Sequence, residues 1–379
     1  MDTHSIDFAV IGLGAVGAAT LYQLARRGAK VVGIDRHVPP HPFGSSHGRA
    51  RVTRNAVGEG SAYVPLVNRS QEILSDLERT FNADLMGRSG TLIVGSEQPT
   101  HGDDFVAATV KIAQQHGIEH ELFSSDELKR RYPQLIGLTD TDYGYFEPKG
   151  GFLKPEPILS LQISAAQQLG ATVLTDRAVE HVSQENGWVT IGMGGYQIRA
   201  RHAVIAAGRW AGEILGPPFD RLLKVTEQRT FSFRPEVAAR YQAGNFPALM
   251  WFRSGAGNRC ITTFPQSQDG AVSFFVEGIN AAADVGETGG HFFEREIRPF
   301  FNGITPQIVG SDLCYYTLTP DGGFIIDRRP GNDRLLVISA CSGHGFKHSL
   351  AVGELAAQML LGEGTTCDAT AFSVGRFCA

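Results

Sequence analysis

The feature that most constrains this chain is a glycine-rich turn near its start. Asp7 to Gly12 (DFAVIG) predicts a buried parallel strand, and Gly12, Gly14 and Gly17 then give the spacing G-x-G-x-x-G. A helical pattern follows and ends at Gly28, and a second apolar strand ends at Asp35. This order of elements predicts a dinucleotide-binding βαβ unit: a strand, a glycine turn, a helix and a second strand that ends in an acid.

Each of these residues has a physical role in such a unit. Gly12 makes the turn, Gly14 lets the backbone approach a pyrophosphate, and Gly17 lets helix and strand pack closely. The helix N-terminus then faces the phosphates, and the Asp35 carboxylate can accept a hydrogen bond from a ribose hydroxyl. The motif alone does not choose between FAD and NAD, and a glycine-rich helix start in an unrelated α/β fold is the alternative.

Length and composition favour a globular protein that has either two domains or one large core with an inserted layer. The chain has 379 residues and a formal net charge of −5, so we expect neither nucleic acid nor an anionic membrane as a partner. Its five cysteines form no CxxC pair and no zinc-type spacing with histidine, which predicts no metal site and a reducing, cytoplasmic location. Polar residues and glycines interrupt the apolar run from Phe8 to Ala25, so we expect no membrane span there.

The loop after Asp35 is too polar to form part of a hydrophobic core. It contains residues 39–41 (PPH), 44–54 (GSSHGRARVTR), 58–60 (GEG) and 63–66 (YVPL). The three arginines at near-alternate spacing suit an anion site or the edge of a flavin pocket.

The stretch from Phe8 to Ser70 resembles the monomeric sarcosine oxidase and N-methyltryptophan oxidase family of amino-acid-oxidase-like flavoproteins. That family typically reads P-P-H, then G-S-H-H-G-D-T-R-x-x-R-x-A-x-G-E-G, then Y-V-P-L. This chain has Ser46, Arg49 and Ala50 in place of a histidine, an aspartate and a threonine. The resemblance resumes at 147–148, 204–208, 314–317, 324–327 and 342–347.

The resemblance implies an FAD-dependent enzyme. Its expected substrate is a small N-methyl or secondary amino acid, oxidised to an imine that hydrolyses to an aldehyde and an amine, with oxygen as the electron acceptor. The fold expected is α/β (α+β), with a Rossmann-type FAD-binding domain and a second, largely antiparallel β substrate domain. We expect residues 1–84, 151–215 and 321–379 to form the discontinuous FAD-binding domain, residues 85–150 and 216–320 to form the substrate domain, and the protein to be a monomer.

The resemblance also assigns the cofactor site. In the family, a cysteine at the position of Cys314 attaches FAD covalently through a thioether to the flavin 8α-methyl group. The alternative for Cys314 is a small buried hydrophobic residue. The other residues expected at the cofactor are Gly12, Gly14, Gly17, Asp35, Ser45, His47, Arg51, Val179, Gly208, Gly343, His344, Gly345 and Lys347.

Arg54 and Lys347 are expected to hold the substrate carboxylate, with Tyr316 as a further hydrogen-bonding partner. A guanidinium binds a carboxylate through two parallel hydrogen bonds, and a lysine at a helix N-terminus adds positive charge. The alternatives are an ion pair between domains for Arg54, a solvated lysine at 347 and a buried tyrosine at 316. Removing a hydride from a neutral amine needs no strong base, so His47 and His344 are assigned to the packing and polarity of the cofactor site.

One family feature is absent from this chain. The family carries a lysine over the flavin, in the strand after an F-P turn, where its charge promotes electron transfer to oxygen. The corresponding region, 264–275, contains no lysine, and none occurs from 225 to 346. We therefore expect slow reoxidation in air unless Arg253 or Arg259 substitutes, and an amine dehydrogenase with poor oxygen reactivity is the main alternative. A flavin hydroxylase, an NAD-dependent dehydrogenase and a non-enzymatic flavin-binding module are further alternatives.

Overall fold

The computed structural model describes residues 6–96, 104–253, 259–277 and 288–377. The strands in these residues are, in chain order, β1 (Ile6–Ile11), β2 (Val31–Ile34), β3 (Arg51–Thr53), β4 (Met86–Gly87), β5 (Thr91–Ser96), β6 (Glu121–Phe123), β7 (Asp142–Glu147), β8 (Gly151–Leu153), β9 (Thr172–Leu174), β10 (His181–Glu185), β11 (Trp188–Met193), β12 (Tyr196–Ile205), β13 (Lys224–Pro235), β14 (Ala248–Phe252), β15 (Cys260–Thr263), β16 (Val272–Val276), β17 (Ile304–Leu318), β18 (Ile325–Arg329) and β19 (Asn332–Ser339). The α-helices are α1 (Ala15–Ala25), α2 (Val64–Phe81), α3 (Phe105–His116), α4 (Ser125–Arg131), α5 (Pro155–Gln168), α6 (Ala211–Leu215), α7 (Phe219–Leu222), α8 (Gly289–Phe292) and α9 (Ser349–Leu361).

The first sheet is built around the glycine-rich unit. β1 lies between β2 and β12, β2 pairs with β9, and the end of β12 pairs with β19, all in parallel. The antiparallel strands β10, β11 and β18 complete this sheet. Because β1, β2, β12 and β19 run in the same direction, their carboxyl ends meet at one edge, where open α/β sheets bind their ligands.

The second sheet is larger and mostly antiparallel. Its strand order is β17-β13-β16-β15-β14-β5-β7-β6, and only the β14–β5 pair is parallel among its described strands. Side chains alternate between its two faces, as the strand period of two requires. One face packs into an aromatic core that includes Phe233, Trp251 and Phe274, and the other face lines a cavity. A small third sheet, β3-β8-β4, lies beside the arginine-rich loop and contains Arg51.

The elements differ from the sequence predictions mainly at their ends. The first helix ends at Ala25, and Gly28 adopts a left-handed φ of 75° shortly beyond it. The last long helix begins at Ser349, and the preceding residues 346–348, which include Lys347, form one 3-10 turn. The predicted α/β class and Rossmann-type arrangement are confirmed, and the exact domain boundaries stay a prediction. In the described part of the chain, no helix is both long and apolar enough to cross a bilayer.

Candidate functional site

Two cavities meet at a common wall between the two large sheets. The first, the nucleotide cavity, is lined by the turn after β1, the ends of β2 and β12, and the loop after β19. The second, the sheet cavity, has a volume of about 330 Å³ and lies against the cavity-facing side of the second sheet. The residues that line both are Arg51, Cys314, Tyr316, Gly343 and Phe346.

The nucleotide cavity has the shape that a dinucleotide requires. Gly12 has a φ of 89°, and a Cβ there would lie 2.6 Å from the Ala206 carbonyl oxygen. A Cβ on Gly17 would lie 1.7 Å from the Gly12 carbonyl oxygen, so only glycine allows this helix to pack so closely. Gly14 caps α1 without a side chain, and the first turn contains no acid. The positive end of the helix dipole is thus available to a phosphate, and this part of the chain fits FAD.

Asp35 is fixed at the rim of the nucleotide cavity. Its carboxylate accepts hydrogen bonds from the backbone N–H of Leu13 (2.7 Å) and of His37 (2.9 Å), and it lies 3.2 Å from His41 Nε2. Burial favours a raised pKa for Asp35, but the hydrogen bonds from His41 and the backbone outweigh it and lower the pKa. Asp35 is therefore an ionised acceptor in the cavity wall, and its contact with a ribose stays a prediction.

The other residues predicted at the cofactor divide between the two cavities. Ser45, Val179, Gly208 and Gly345 line the nucleotide cavity, together with the shared Arg51, Cys314 and Gly343, whereas His47, His344 and Lys347 line the sheet cavity. Gly17 packs beneath Gly12. Burial lowers the pKa of His47, and it lowers the pKa of His344 to about 4, so both imidazoles are neutral at neutral pH.

Cys314 lies on β17, in the wall that separates the two cavities. Its Sγ is 3.5 Å from Arg51 Nη2, and it is 3.9 Å from the Ser45 carbonyl oxygen. The side chain is partly exposed, so the structure does not place it as a buried hydrophobic residue.

Arg54 and Lys347 are brought together by a carboxylate that lies between them. Arg54 is 2% exposed, and its Nη2 donates to Glu59 Oε2 at 2.9 Å. Lys347 is 4% exposed, and its Nζ donates to Glu59 Oε1 at 3.1 Å and to the His344 carbonyl oxygen at 2.9 Å. The solvated alternative for Lys347 is therefore wrong, and the ion pair of Arg54 is a buried one.

This triad of Arg54, Glu59 and Lys347 carries an excess of positive charge. Burial favours a raised pKa for Glu59, but the charges of Arg54 and Lys347 outweigh it and hold the pKa well below its ordinary value. Burial lowers the pKa of Lys347 to about 8, so the ammonium form prevails at neutral pH. Arg54 Nε is buried without a hydrogen-bond acceptor among the described residues. Two cations, one anion and an unused donor are chemically suited to binding a ligand carboxylate.

Alternate residues of the second sheet form the opposite wall of the sheet cavity. Tyr316 is one of them, and burial raises its pKa well above the ordinary value, so its hydroxyl remains a hydrogen-bond donor. Ser273 stands in the strand where the family carries its lysine. Arg253 and Arg259 do not substitute for that lysine, because both pair with Glu296 and neither is among the described residues that line the two cavities.

Sequence reasoning missed several polar residues of the site. Glu59 was visible only as the centre of the 58–60 motif, and Gln228 and Glu277 line the sheet cavity without belonging to any motif. Glu147 accepts hydrogen bonds from the backbone N–H of Asn55 (2.6 Å) and of Ala56 (3.0 Å), and so fixes the chain directly after Arg54. Glu147 belongs to residues 147–148, one of the segments that resemble the family, and this resemblance could have identified Glu147 as a residue of the site.

Comparisons with known proteins agree with this geometry. The family model described as FAD dependent oxidoreductase (DAO) matches residues 7–359. An N-methyl-L-tryptophan oxidase of Salmonella heidelberg (strain SL476) is 33% identical over 390 residues, covering 98% of this chain and 99% of that protein. Among solved structures, NikD, an unusual amino acid oxidase essential for nikkomycin biosynthesis, superposes with a TM-score of 0.83 at 21% identity, covering 98% of each chain. L-proline dehydrogenase from P. horikoshii superposes with a TM-score of 0.79 at 20% identity, also covering 98% of each chain.

Proposed function

The chain belongs to the DAO family of FAD-dependent oxidoreductases, and we propose that it oxidises a small N-methyl or secondary amino acid to an imine, which water hydrolyses to an aldehyde and an amine. The observation that carries this proposal is the buried triad of Arg54, Glu59 and Lys347 beside the wall shared by the two cavities. The full-length relative named N-methyl-L-tryptophan oxidase supports the same substrate class.

In this proposal the nucleotide cavity holds FAD. Gly12, Gly14 and the N-terminus of α1 bind its pyrophosphate, and Asp35 binds a ribose hydroxyl. FAD supplies the redox chemistry when bound, because its ring accepts a hydride that a protein side chain cannot accept. We further propose a covalent bond between the Cys314 sulfur and the flavin, supported by the position of Cys314 in the shared wall and by the adjacent Arg51.

The chain's own residues bind and orient the substrate. Arg54 and Lys347 hold its carboxylate, the Tyr316 hydroxyl donates a further hydrogen bond, and Glu59 keeps the two cations in place. The phenylalanines at 105, 252 and 275 line the same cavity and exclude water around the substrate. Fixing the carboxylate in this way positions the neighbouring carbon at the shared wall, and such positioning is a large part of catalysis by a redox enzyme.

We propose that oxygen is the electron acceptor and that the reduced flavin reacts with it slowly. The cations that line the sheet cavity among the described residues are Arg49, Arg51, Arg54 and Lys347. Arg49 and Ser273 both contact the Ser232 hydroxyl, but Arg49 is paired with Asp269 at 2.6 Å and with Asp312 at 3.2 Å. Since its charge is balanced by two acids, little positive charge remains there to stabilise superoxide. The second candidate function is that of a dehydrogenase that prefers another electron acceptor. We also expect the protein to be monomeric and cytoplasmic.

The test is to mix the purified, flavin-loaded protein anaerobically with a panel of primary, N-methyl and cyclic secondary amino acids. We expect N-methyl or cyclic secondary amino acids to bleach the flavin absorbance, and the quenched mixture to contain the matching aldehyde and amine or the cyclic imine. Bleaching by NADPH alone, with no response to any amino acid, would favour the hydroxylase alternative and contradict the proposal.

A further inference from the structure

Two hydrogen-bond acceptors face the sheet cavity without a donor among the described residues. Glu277 follows β16 directly and lines the cavity, and no described side chain forms an ion pair or hydrogen bond with its carboxylate. Gln228 on β13 is only 7% exposed, and its Oε1 is buried without a partner in the described part of the chain. Its amide nitrogen donates to Thr226 Oγ1 at 3.3 Å, so the oxygen is the free end.

The sheet places these two acceptors side by side. β13 and β16 are antiparallel, with Thr230 opposite Phe275, so Gln228 and Glu277 continue the pairing two residues further on the same face. On the other side, the Glu277 backbone N–H donates to the Cys260 carbonyl oxygen at 3.0 Å, which fixes the end of the strand. The two acceptors therefore lie on the cavity-facing side of the second sheet.

The charged side chains that line the sheet cavity are not all paired with opposite charges, and a ligand can supply the missing partners. The Glu277 side chain is exposed, but the protein around its carboxylate still removes part of its hydration and raises its pKa, and the negative charge of Glu59 raises that pKa further. Asp312, the other acid on this face, is already paired with Arg49. Arg51, a further cation without an acidic partner among the described residues, lies in the wall shared with the nucleotide cavity. Away from that wall, the triad carries one excess positive charge and Glu277 one negative charge, so the complementary ligand has an anionic and a cationic end.

We propose that Glu277, with the Gln228 amide oxygen beside it, binds the cationic nitrogen of the substrate, so that this enzyme selects zwitterionic amino acids. The inference rests on the proposed function, because it assigns the carboxylate to the Arg54–Glu59–Lys347 triad and the amino group to the second acidic site. The Gln228 amide oxygen is buried without a partner, which is costly, and a hydrogen-bond donor on the ligand removes that cost on binding. Glu277 is thus a specificity-determining residue.

The experiment compares two ligands of nearly equal shape that differ only in charge. Binding of (trimethylammonio)acetate and of 3,3-dimethylbutanoate to the oxidised holoenzyme is measured by isothermal titration calorimetry. Neither ligand can be oxidised at nitrogen to an imine, so the measurement is free of turnover. We expect the wild type to bind the cationic ligand at least about tenfold more tightly, as for one charged contact. Glu277→Gln should abolish this preference and leave the affinity for 3,3-dimethylbutanoate within about twofold.

Asp312→Asn is the matched control, because Asp312 is a carboxylate on the same face that already has a partner. It should keep most of the preference for the cationic ligand. Equal affinities in the wild type, or a preference that survives Glu277→Gln, would overturn the inference and leave the proposed function intact. Failure of both ligands to bind would contradict the carboxylate site and overturn the inference with it.

Discussion

Lys347 holds its charge in a buried position, and this makes ligand binding sensitive to pH. Burial lowers its pKa to about 8, so the free enzyme loses this ammonium as the pH rises through that value. A bound carboxylate favours the charged form, so its affinity should be constant below the pKa and decrease above it. We expect the dissociation constant of 3,3-dimethylbutanoate to increase as the pH is raised from about 7 to about 9.

The control for this prediction is Lys347→Arg. A guanidinium stays charged throughout that range, so any binding that this variant retains should not weaken as the pH rises. The neighbouring His344, with a pKa of about 4, is already neutral and does not contribute to the change. Constant affinity in the wild type across the same range would show that Lys347 does not touch the carboxylate.

Cys314 is the residue whose chemistry is easiest to examine directly. If it forms a thioether with the flavin, acid denaturation of the yellow protein should leave the flavin in the pellet, and Cys314→Ala should release it to the supernatant. Cys341→Ala is the matched control, since Cys341 also lines the nucleotide cavity but burial raises the pKa of its thiol and disfavours the thiolate. Wild-type flavin found wholly in the supernatant would refute the bond and leave FAD binding untouched.

At the scale of single elements, we expect β16 to influence the rate at which the reduced enzyme reacts with oxygen. Ser273 faces the sheet cavity and belongs to the region, 264–275, in which the resemblance predicts the family's lysine, and its hydroxyl lies 2.8 Å from the Ser232 hydroxyl. A cation near the flavin stabilises the developing superoxide, and every 1.4 kcal/mol of stabilisation is about tenfold in rate. We expect slow reoxidation of the substrate-reduced wild type in stopped-flow mixing with oxygen, and faster reoxidation in Ser273→Lys.

The control variant is Ser273→Gln, which adds a long polar side chain without a charge and should remain slow. Reoxidation of the wild type at a rate typical of an efficient oxidase would contradict the prediction. It would indicate that one of the cavity's other cations acts on oxygen.

The elements also show why some parts of the fold could be predicted from the sequence. The βαβ unit is local: its glycines, helix and second strand are consecutive, so spacing alone indicates the arrangement. The wall of the sheet cavity is not local, because Gln228, Glu277 and Cys314 meet only through pairing among β13, β16 and β17. Alternation in one strand shows which residues share a face, but it does not show which other strand lies beside it.

At the scale of the whole molecule, the site depends on contacts between distant segments. Lys347 and Glu59 are 288 residues apart in the chain, yet their side chains form one ion pair. The resemblance identified Arg54 and Lys347 as partners, but no sequence pattern indicated that a carboxylate lies between them. Only the packing of the arginine-rich loop against the turn before α9 reveals that the two cations share Glu59.

We propose that the assembled molecule holds an amino acid by its carboxylate beside the FAD site. The most direct measurement is the rate at which N-methylglycine and its methyl ester bleach the flavin of the holoenzyme under anaerobic rapid mixing. The triad should bind the acid and not the ester, so we expect the acid to react at least about tenfold faster at low concentration. Arg54→Ala should remove most of that difference. Equal rates for acid and ester in the wild type would contradict the account.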